Sequence, residues 1–282
     1  MKVAYLGPAA SFTHLASEKA FPDAELVPSV TIPDGIKALE DGLVDVAIVP
    51  IENTIEGTVN VTLDYLFHQA DIPIQAELVL PIAQHLMVHP ANVMNWRNAE
   101  KILSHPQALA QCEAYLATEL HDAIKEATPS TAYAARKVSE EATPILAAIA
   151  PRISAKEYGL AIVAENIQEL ELNQTRFVVL SHQPIQVNLP HVRKKCSISV
   201  TLPNNMPGAL HKVLATFSWR EIDLCKIESR PLKTMLGEYF FLIDLYVDGQ
   251  EQLIANAIEE IQLIGGVTKI LGRYPVHKIE IV

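Results

Sequence analysis

Two rhythms of apolar residues divide the sequence, and the point where one gives way to the other constrains the fold more than any single motif. Through the first 180 residues, short runs rich in Val, Ile, Leu or Ala alternate with stretches of helical spacing. Segments 2–6, 45–49, 101–103, 160–164 and 177–180 read as buried strands, with helices expected at about 14–20, 33–41, 59–69, 107–118 and 131–141. Thr31 ahead of Pro33 and Asp34 marks one helix entry, and Ser130 or Thr131 marks another. This alternation predicts an α/β fold with a mostly parallel sheet. Segment 74–88 is long for one strand and is broken by Pro81, so it reads as a strand crossing between two lobes, and two lobes imply a cleft. After the polar, Pro-containing stretch 181–195 the pattern changes. Strand 196–202, helix 208–218, strands 223–230 and 238–247, helix 251–263 and strand 267–273 form a ferredoxin-like βαββαβ module with an edge open to pairing. The expected organisation is a two-lobed domain over 1–185, a linker over 186–195 and the smaller module over 196–282. A chain of 282 residues has room for two such domains.

Charge narrows the partners. With 22 basic and 33 acidic residues the formal charge is -11, a field that repels phosphate backbones and anionic lipids, so neither nucleic acid nor membrane is expected. An anionic ligand would need a local set of donors to overcome that repulsion. Cys112, Cys196 and Cys225 are far apart and odd in number, which suggests neither a disulfide framework nor a zinc cluster. The first apolar run is too short for a signal-peptide core, and no run of about 18 apolar residues occurs, so a soluble cytoplasmic protein is expected.

Ligands of open α/β sheets sit beyond the carboxyl ends of strands. Four segments qualify. Gly7-Pro8-Ala9-Ala10-Ser11-Phe12-Thr13-His14 offers Ser11 or Thr13 as a helix cap with amides aimed at an anion. Pro50-Ile51-Glu52-Asn53-Thr54-Ile55-Glu56-Gly57 places a carboxylate and an amide at a strand end, where an ordinary surface loop would serve equally. Ser104-His105-Pro106-Gln107 opens a helix. In Asn173-Gln174-Thr175-Arg176-Phe177 a hydroxyl, a guanidinium and a ring stand together, a trio suited to clamping a carboxylate while excluding water. In the second module, Asn205-Met206-Pro207-Gly208-Ala209-Leu210 joins strand to helix and Lys226-Ile227-Glu228-Ser229-Arg230-Pro231 ends a strand; tight turns account for both, and so does a site where backbone approaches a ligand. No G-x-G-x-x-G, Walker A, H-E-x-x-H or G-x-S-x-G motif is present. His85 and His89 are four apart, which strand alternation explains without a metal.

Taken in order, Gly7-Pro8…Ser11-Phe12-Thr13, Pro50-Ile51-Glu52-Asn53-Thr54…Gly57, Ser104-His105-Pro106-Gln107, Ser130-Thr131-Ala132 and Asn173…Thr175-Arg176-Phe177 closely resemble the monofunctional prephenate dehydratases over essentially the whole chain. The C-terminal module is similar to that family's ACT regulatory domain, with Pro207-Gly208-Ala209-Leu210 and Glu228-Ser229-Arg230-Pro231 standing for its two effector motifs. The resemblance implies a catalytic domain like a periplasmic binding protein and the decarboxylative dehydration of prephenate to phenylpyruvate, without metal or coenzyme. It implies catalytic roles for Thr175, Glu52 and Asn53, and substrate binding by Arg176, Phe177, Ser11, Thr13, Ser104, Gln107, Ser130 and Thr131. It further implies L-phenylalanine as a feedback inhibitor held by residues 205–210 and 228–230, and a homodimer or homotetramer formed through the ACT modules. Some enteric members carry Glu before the Ser-Thr pair where this chain has Pro129, so a role for that Glu does not transfer. Two alternatives stand: arogenate dehydratase, with the same chemistry on the aminated substrate, and a non-catalytic amino-acid sensor, against which the intact Thr175-Arg176-Phe177 argues.

Overall fold

The computed structural model describes residues 1–202, 208–233 and 238–280. Asn205, Met206 and Pro207 therefore lie outside the described residues. The chain is a mixed α/β protein that divides into two compact units. The first holds Met1–Thr62, Val79–Phe177 and the C-terminal residues from Ile279; the second holds Leu63–Leu78 and Val178–Lys278. Residues 63–78, read from sequence as part of the larger domain, thus join the smaller unit.

The first unit begins with β1 (Lys2–Leu6), α1 (Phe12–Ala20), β2 (Glu25–Ser29), α2 (Ile32–Glu40), β3 (Val46–Asn53) and β4 (Gly57–Thr58). α2 starts where the sequence places it. The Thr31 hydroxyl accepts from the Asp34 amide, the Asp34 carboxylate accepts from the Thr31 amide, and Pro33 fits the first turn. β1 lies between β2 and β3, parallel to both, and its Val3, Ala4 and Tyr5 are buried. α3 (Asn60–His68) and β5 (Ile74–Pro81) follow, each with residues in both units.

Pro81 does break the long apolar stretch, but into two strands of different sheets: β6 (His85–Val88) is separate from β5. Then come β7 (Lys101–Ser104), α4 (Pro106–Gln111), α5 (Glu113–Glu119), β8 (Ile124–Ala127), α6 (Thr131–Glu140), β9 (Leu146–Ala150), α7 (Arg152–Tyr158), β10 (Ala161–Ala164) and β11 (Gln174–Leu180). The second sheet has the order β10-β6-β9-β7-β8, parallel across β9, β7 and β8 and antiparallel across β10, β6 and β9. The small side chains Ala132, Ala134 and Ala135 of α6 and Ala148 and Ala150 of β9 are all fully buried, letting helix and sheet approach closely. The single helix expected at 107–118 is two helices, divided at Cys112.

The second unit carries β12 (His191–Thr201), α8 (Ala209–Ser218), β13 (Leu224–Pro231), β14 (Tyr239–Tyr246), α9 (Glu251–Leu263) and β15 (Val267–Lys278) in the sheet order β13-β14-β12-β15, antiparallel throughout. That is the βαββαβ arrangement read from the sequence. Its core gathers Ile198 and Val200 from the sheet with Val213, Phe217, Ile254 and Ile258 from the two helices. Gly272 is required by packing: a Cβ there would stand 2.3 Å from the Ile74 carbonyl oxygen of β5. Glu77 and Lys195 form a buried pair at 2.8 Å, and the rings of Phe67 and Phe240 stack with centroids 3.6 Å apart.

Candidate active site

Within the first unit a cavity of about 380 Å³ opens beyond the strand ends, in the size range of small-molecule sites. The loop after β1 supplies Gly7, Ser11, Phe12 and Thr13. Pro50 and Asn53 come from β3, and Glu56 and Val59 from the loop after it. Further lining comes from Ile82 and Gln84 of the β5–β6 connection, His105 just ahead of α4 with Gln107 and Gln111 of α4, Pro129, Ser130 and Thr131 at α6, and Asn173 just ahead of β11 with Thr175 and Phe177 of β11.

Strand alternation turns one face of β11 to the cavity. Asn173, Thr175 and Phe177 share the cavity face because successive side chains leave a strand on opposite sides. The Asn53 side-chain amide donates to the Thr175 hydroxyl at 2.9 Å, to Asn173 Oδ1 at 2.9 Å and to the Gln174 carbonyl at 3.2 Å. Its own oxygen accepts from the amides of Ile55 and Glu56, which fixes its orientation. Thr175 therefore accepts from the protein, and among the described residues nothing takes its proton, so the O–H is left to donate into the cavity. Asn173 passes the network on to Gln111 Oε1 at 3.4 Å.

Two helices of ordinary length begin at the cavity. Ser11 caps α1 by accepting from the His14 amide, and Ser130 caps α6 by accepting from the Tyr133 amide. Each cap satisfies one amide, and a helix start leaves others without intrahelical partners, together with roughly half a positive charge. The loop before α1 is held rigidly: Ala10 sits at φ 63°, a conformation costing a non-glycine residue about 1–2 kcal/mol. His14 Nδ1 accepts from its amide, and the Ser154 and Tyr158 hydroxyls donate to the carbonyls of Ala10 and Ala9. Beneath, Tyr5 stacks on His14, and burial, with Glu157 and Tyr158 nearby, pushes its hydroxyl up to about 12, so it stays neutral. Among the described residues lining the cavity there is no Lys or Arg, and Glu56 is the one carboxylate.

Of the residues expected at the site, Asn53, Thr175, Phe177, Ser11, Thr13, Gln107, Ser130 and Thr131 all line this cavity. Three do not. Arg176 leaves β11 on the opposite side from Thr175 and pairs with Glu52 at 2.5 Å, and neither of the two lines the cavity. Ser104 is fully buried and donates to the Ile149 carbonyl at 2.6 Å, tying β7 to β9. The sequence reading missed Gln84 and Gln111 and treated Asn173 only as part of a motif. Gln111 follows Gln107 by four residues and so shares its helix face, a signal that was available. His85 turns from the cavity to accept from the Asn166 amide, burial and then Arg152 hold its pKa below the usual histidine value, and His89 caps a short 3-10 turn. Among the described residues no group of three or more His, Cys, Asp or Glu is arranged to hold a metal.

In the second unit Gly208 stands at φ 81° as the N-cap of α8, a backbone that requires glycine, with Ala209 and Leu210 opening the helix. Glu228 pairs with Lys226 at 3.4 Å, Ser229 is exposed, and Arg230 donates to Asp64 of α3 at 2.9 Å. Lys233 reaches the same carboxylate at 2.7 Å. Burial opposes the charge on Asp64, but hydrogen bonds from Lys233 and Arg230 outweigh it and hold the pKa below the usual carboxylate range.

The family model for prephenate dehydratase (PDT) matches residues 3–185. The chain is 45% identical over 280 residues to the prephenate dehydratase of Lactococcus lactis subsp. cremoris, covering 99% of both chains. It is 44% identical over 285 residues to the prephenate dehydratase of Bacillus subtilis, covering 99% of this chain and 100% of that one. The crystal structure of prephenate dehydratase in complex with L-Phe from Arthrobacter aurescens matches with a TM-score of 0.85 at 32% identity, over 97% of this chain and 90% of that one.

Proposed function

Since the chain belongs to the prephenate dehydratase family, we infer that its cavity turns prephenate into phenylpyruvate, carbon dioxide and water. The observation that carries this reading is the Thr175 hydroxyl, polarised by Asn53 and left to donate into a cavity lined by neutral donors. The substrate is a small dianion with two carboxylates and a keto group, and its hydroxyl sits across the ring from the carboxylate that leaves. When the bond to the departing carboxylate breaks, its electron pair enters the ring, the opposite C–O bond breaks, and the ring becomes aromatic. The driving force is already in the substrate, so the protein has to position it, exclude water and stabilise the leaving oxygen. Thr175 is the donor to that oxygen, and its contribution grows as charge accumulates there. The helix starts at Ser11 and Ser130, with the hydroxyls of Thr13 and Thr131, are the places for the carboxylates. Phe177 closes the site to water, and Gln107 and Gln111 supply further amide contacts. Arg176 and Glu52 serve as positioning residues, each being the chain neighbour of a residue that lines the site.

The βαββαβ module is read as the ACT regulatory domain of an enzyme feedback-inhibited by L-phenylalanine; the L-Phe complex of the Arthrobacter aurescens protein supports this. The start of α8 at Gly208, Ala209 and Leu210, together with Glu228, Ser229 and Arg230, is the proposed effector region. In the described sheet β13 is an edge strand with Cys225, Ile227 and Ser229 exposed, a surface suited to pairing with a second copy in a homodimer or homotetramer. Among the described residues no disulfide joins Cys112, Cys196 and Cys225, which accords with a reducing compartment. Among the described residues no helix is long and apolar enough to cross a membrane. One assay tests the central reading: the purified protein is given prephenate or arogenate and ketone or amino-acid product is followed. Release of phenylpyruvate with a higher kcat/KM for prephenate is expected; turnover of neither substrate would leave a sensor, and preference for arogenate would reassign the substrate.

A further inference from the structure

The nine residues of α3 include neither Gly nor Pro, so its sequence builds in no hinge. Its first turn is fastened to the cavity wall. The fully buried Thr62 hydroxyl donates to the Pro50 carbonyl at 2.6 Å, and the Val59 amide just ahead of the helix donates to the Ile51 carbonyl at 2.9 Å. Pro50 and Val59 both line the cavity, and Asn53, which holds the Thr175 hydroxyl, lies on the same strand as Pro50. The second turn is fastened elsewhere. Asp64 accepts from Arg230 at 2.9 Å and from Lys233 at 2.7 Å, and Phe67 stacks on Phe240 of β14. The two contacts to Asp64 are unequal in shelter. The side chains of Asp64 and Arg230 are only 20% and 17% exposed, whereas that of Lys233 is 56% exposed, where water screens an ion pair to little effect.

We propose that the ion pair between Asp64 and Arg230 is the coupling link of regulation, a tether through which a change at the effector segment pulls on α3 and so on Pro50 and Val59 of the cavity wall. The proposal rests on the reading of residues 228–230 as part of an L-phenylalanine site. Arg230 ends that segment, so binding there moves the strand to which Asp64 is tied. A helix without a hinge passes the displacement on as a unit, and Thr62 delivers it to β3. A small movement suffices, since a misplacement of about 1 Å in a catalytic constellation can cost roughly 10²-fold. With the tether cut, the effector still binds, but its movement ends at Arg230.

Asp64→Asn, Asp64→Glu and Lys233→Gln are compared with the parent through two readouts. One is the dissociation constant of L-phenylalanine by equilibrium dialysis; the other is kcat/KM for prephenate with and without saturating L-phenylalanine. In the parent the ratio of the two kcat/KM values should lie in the range of roughly 5–150-fold that allosteric coupling usually spans. Asp64→Asn should keep its uninhibited kcat/KM within about threefold of the parent and bind L-phenylalanine within about fivefold, while its inhibition ratio falls below about threefold. Asp64→Glu keeps the charge and should stay inhibited. Lys233→Gln removes the other ion pair and should also stay inhibited, which a merely structural role for Asp64 does not predict. Inhibition of Asp64→Asn as deep as in the parent would overturn the proposal. So would loss of L-phenylalanine binding along with inhibition, which would make Asp64 part of the effector site, or equal relief in Lys233→Gln, which would reduce the effect to lost stability. A parent that neither binds L-phenylalanine nor is inhibited by it would instead overturn the effector reading itself, and that result is seen before any variant is made.

Discussion

Replacing Asn53 with Asp changes one group and reverses the direction of one hydrogen bond. The side-chain oxygen that accepts from Ile55 and Glu56 is retained, so the loop should keep its shape. The nitrogen that donates to Thr175, Asn173 and Gln174 becomes an oxygen, and three acceptors then face an acceptor. Asn173 can repair its own contact by turning its amide, at the loss of a long 3.4 Å bond to Gln111. Thr175 has a different remedy: it donates its proton to the new carboxylate and withdraws it from the cavity. Loss of one preorganised donor typically costs 10²- to 10³-fold, so kcat should fall by about that factor. The Gln174 carbonyl loses one contact but keeps the amide and hydroxyl of Thr54 as donors, so Tm should change little. The deciding measurement is a double-mutant cycle with Thr175→Ala, following phenylpyruvate formation under saturating prephenate. Both substitutions remove the same proton from the same place, so the double variant should be within about threefold of Thr175→Ala alone. Losses that multiply, or an Asn53→Asp enzyme within threefold of the parent, would refute the idea that Asn53 acts by orienting the Thr175 hydroxyl.

Thr175→Ala should lower kcat by at least about 10²-fold with Tm little changed, whereas Thr175→Ser keeps a hydroxyl and should retain much of the rate; equal losses in both would remove the hydroxyl from the mechanism. Arg176→Lys should lower Tm and kcat while leaving KM within a few-fold, because the guanidinium holds Glu52 rather than substrate. A large rise in KM at constant Tm would return Arg176 to the binding site. Asp64 has its carboxyl pKa depressed in the fold, so its contribution is complete above the ordinary value of about 3.9 and is lost as pH falls through the folded value. Asp64→Asn should therefore lower Tm at neutral pH, with the gap closing in acid; a gap independent of pH would mean that the ion pairs with Arg230 and Lys233 contribute nothing.

The two rhythms of the sequence carried the architecture because strand and helix periods are local properties. The βαββαβ order and the Thr31 helix entry could both be read from a few residues each. Four strands were missed, and each has a local reason: Gly57–Thr58 is only two residues long, too short for any period. Segments 25–29 and 124–127 are polar or half-exposed edge strands with no apolar run. Segment 146–150, LAAIA, is so rich in Ala that it carries no period. The division of helix at Cys112 and the assignment of residues 63–78 to the second unit depend on packing, which no local pattern encodes. The site was legible where a motif ends a strand, as at Asn53 and Thr175. At Arg176 the chemistry of the side chain suggested a carboxylate clamp, while the alternation of the strand, equally visible in the sequence, puts that side chain on the face away from the cavity. Alternation from Thr175 points to Asn173, and not to Arg176, as cavity lining.

The placement of Arg176 bears on the electrostatics of the reaction. The chain carries a net charge of -11, and among the described residues no Lys or Arg lines the cavity that must admit a dianion. The available positive ends are two helix starts, each worth only a partial charge and fixed in place by the fold. Full cations would bind the substrate more tightly, but one of its carboxylates has to leave as neutral carbon dioxide. A guanidinium paired with that carboxylate would stabilise the charge where it begins and lose the interaction as the charge moves into the ring and out to the leaving oxygen. Such binding deepens the ground state without lowering the barrier by the same amount. Partial dipoles hold the dianion in register while costing less as charge departs. The concentrated donor, the Thr175 hydroxyl backed by the Asn53 amide, gains strength at the oxygen where the charge arrives. On this reasoning a cavity without Lys or Arg suits a reaction that moves negative charge away from a carboxylate, and it accords with the Arg176 guanidinium being paired with Glu52 on the other face of β11.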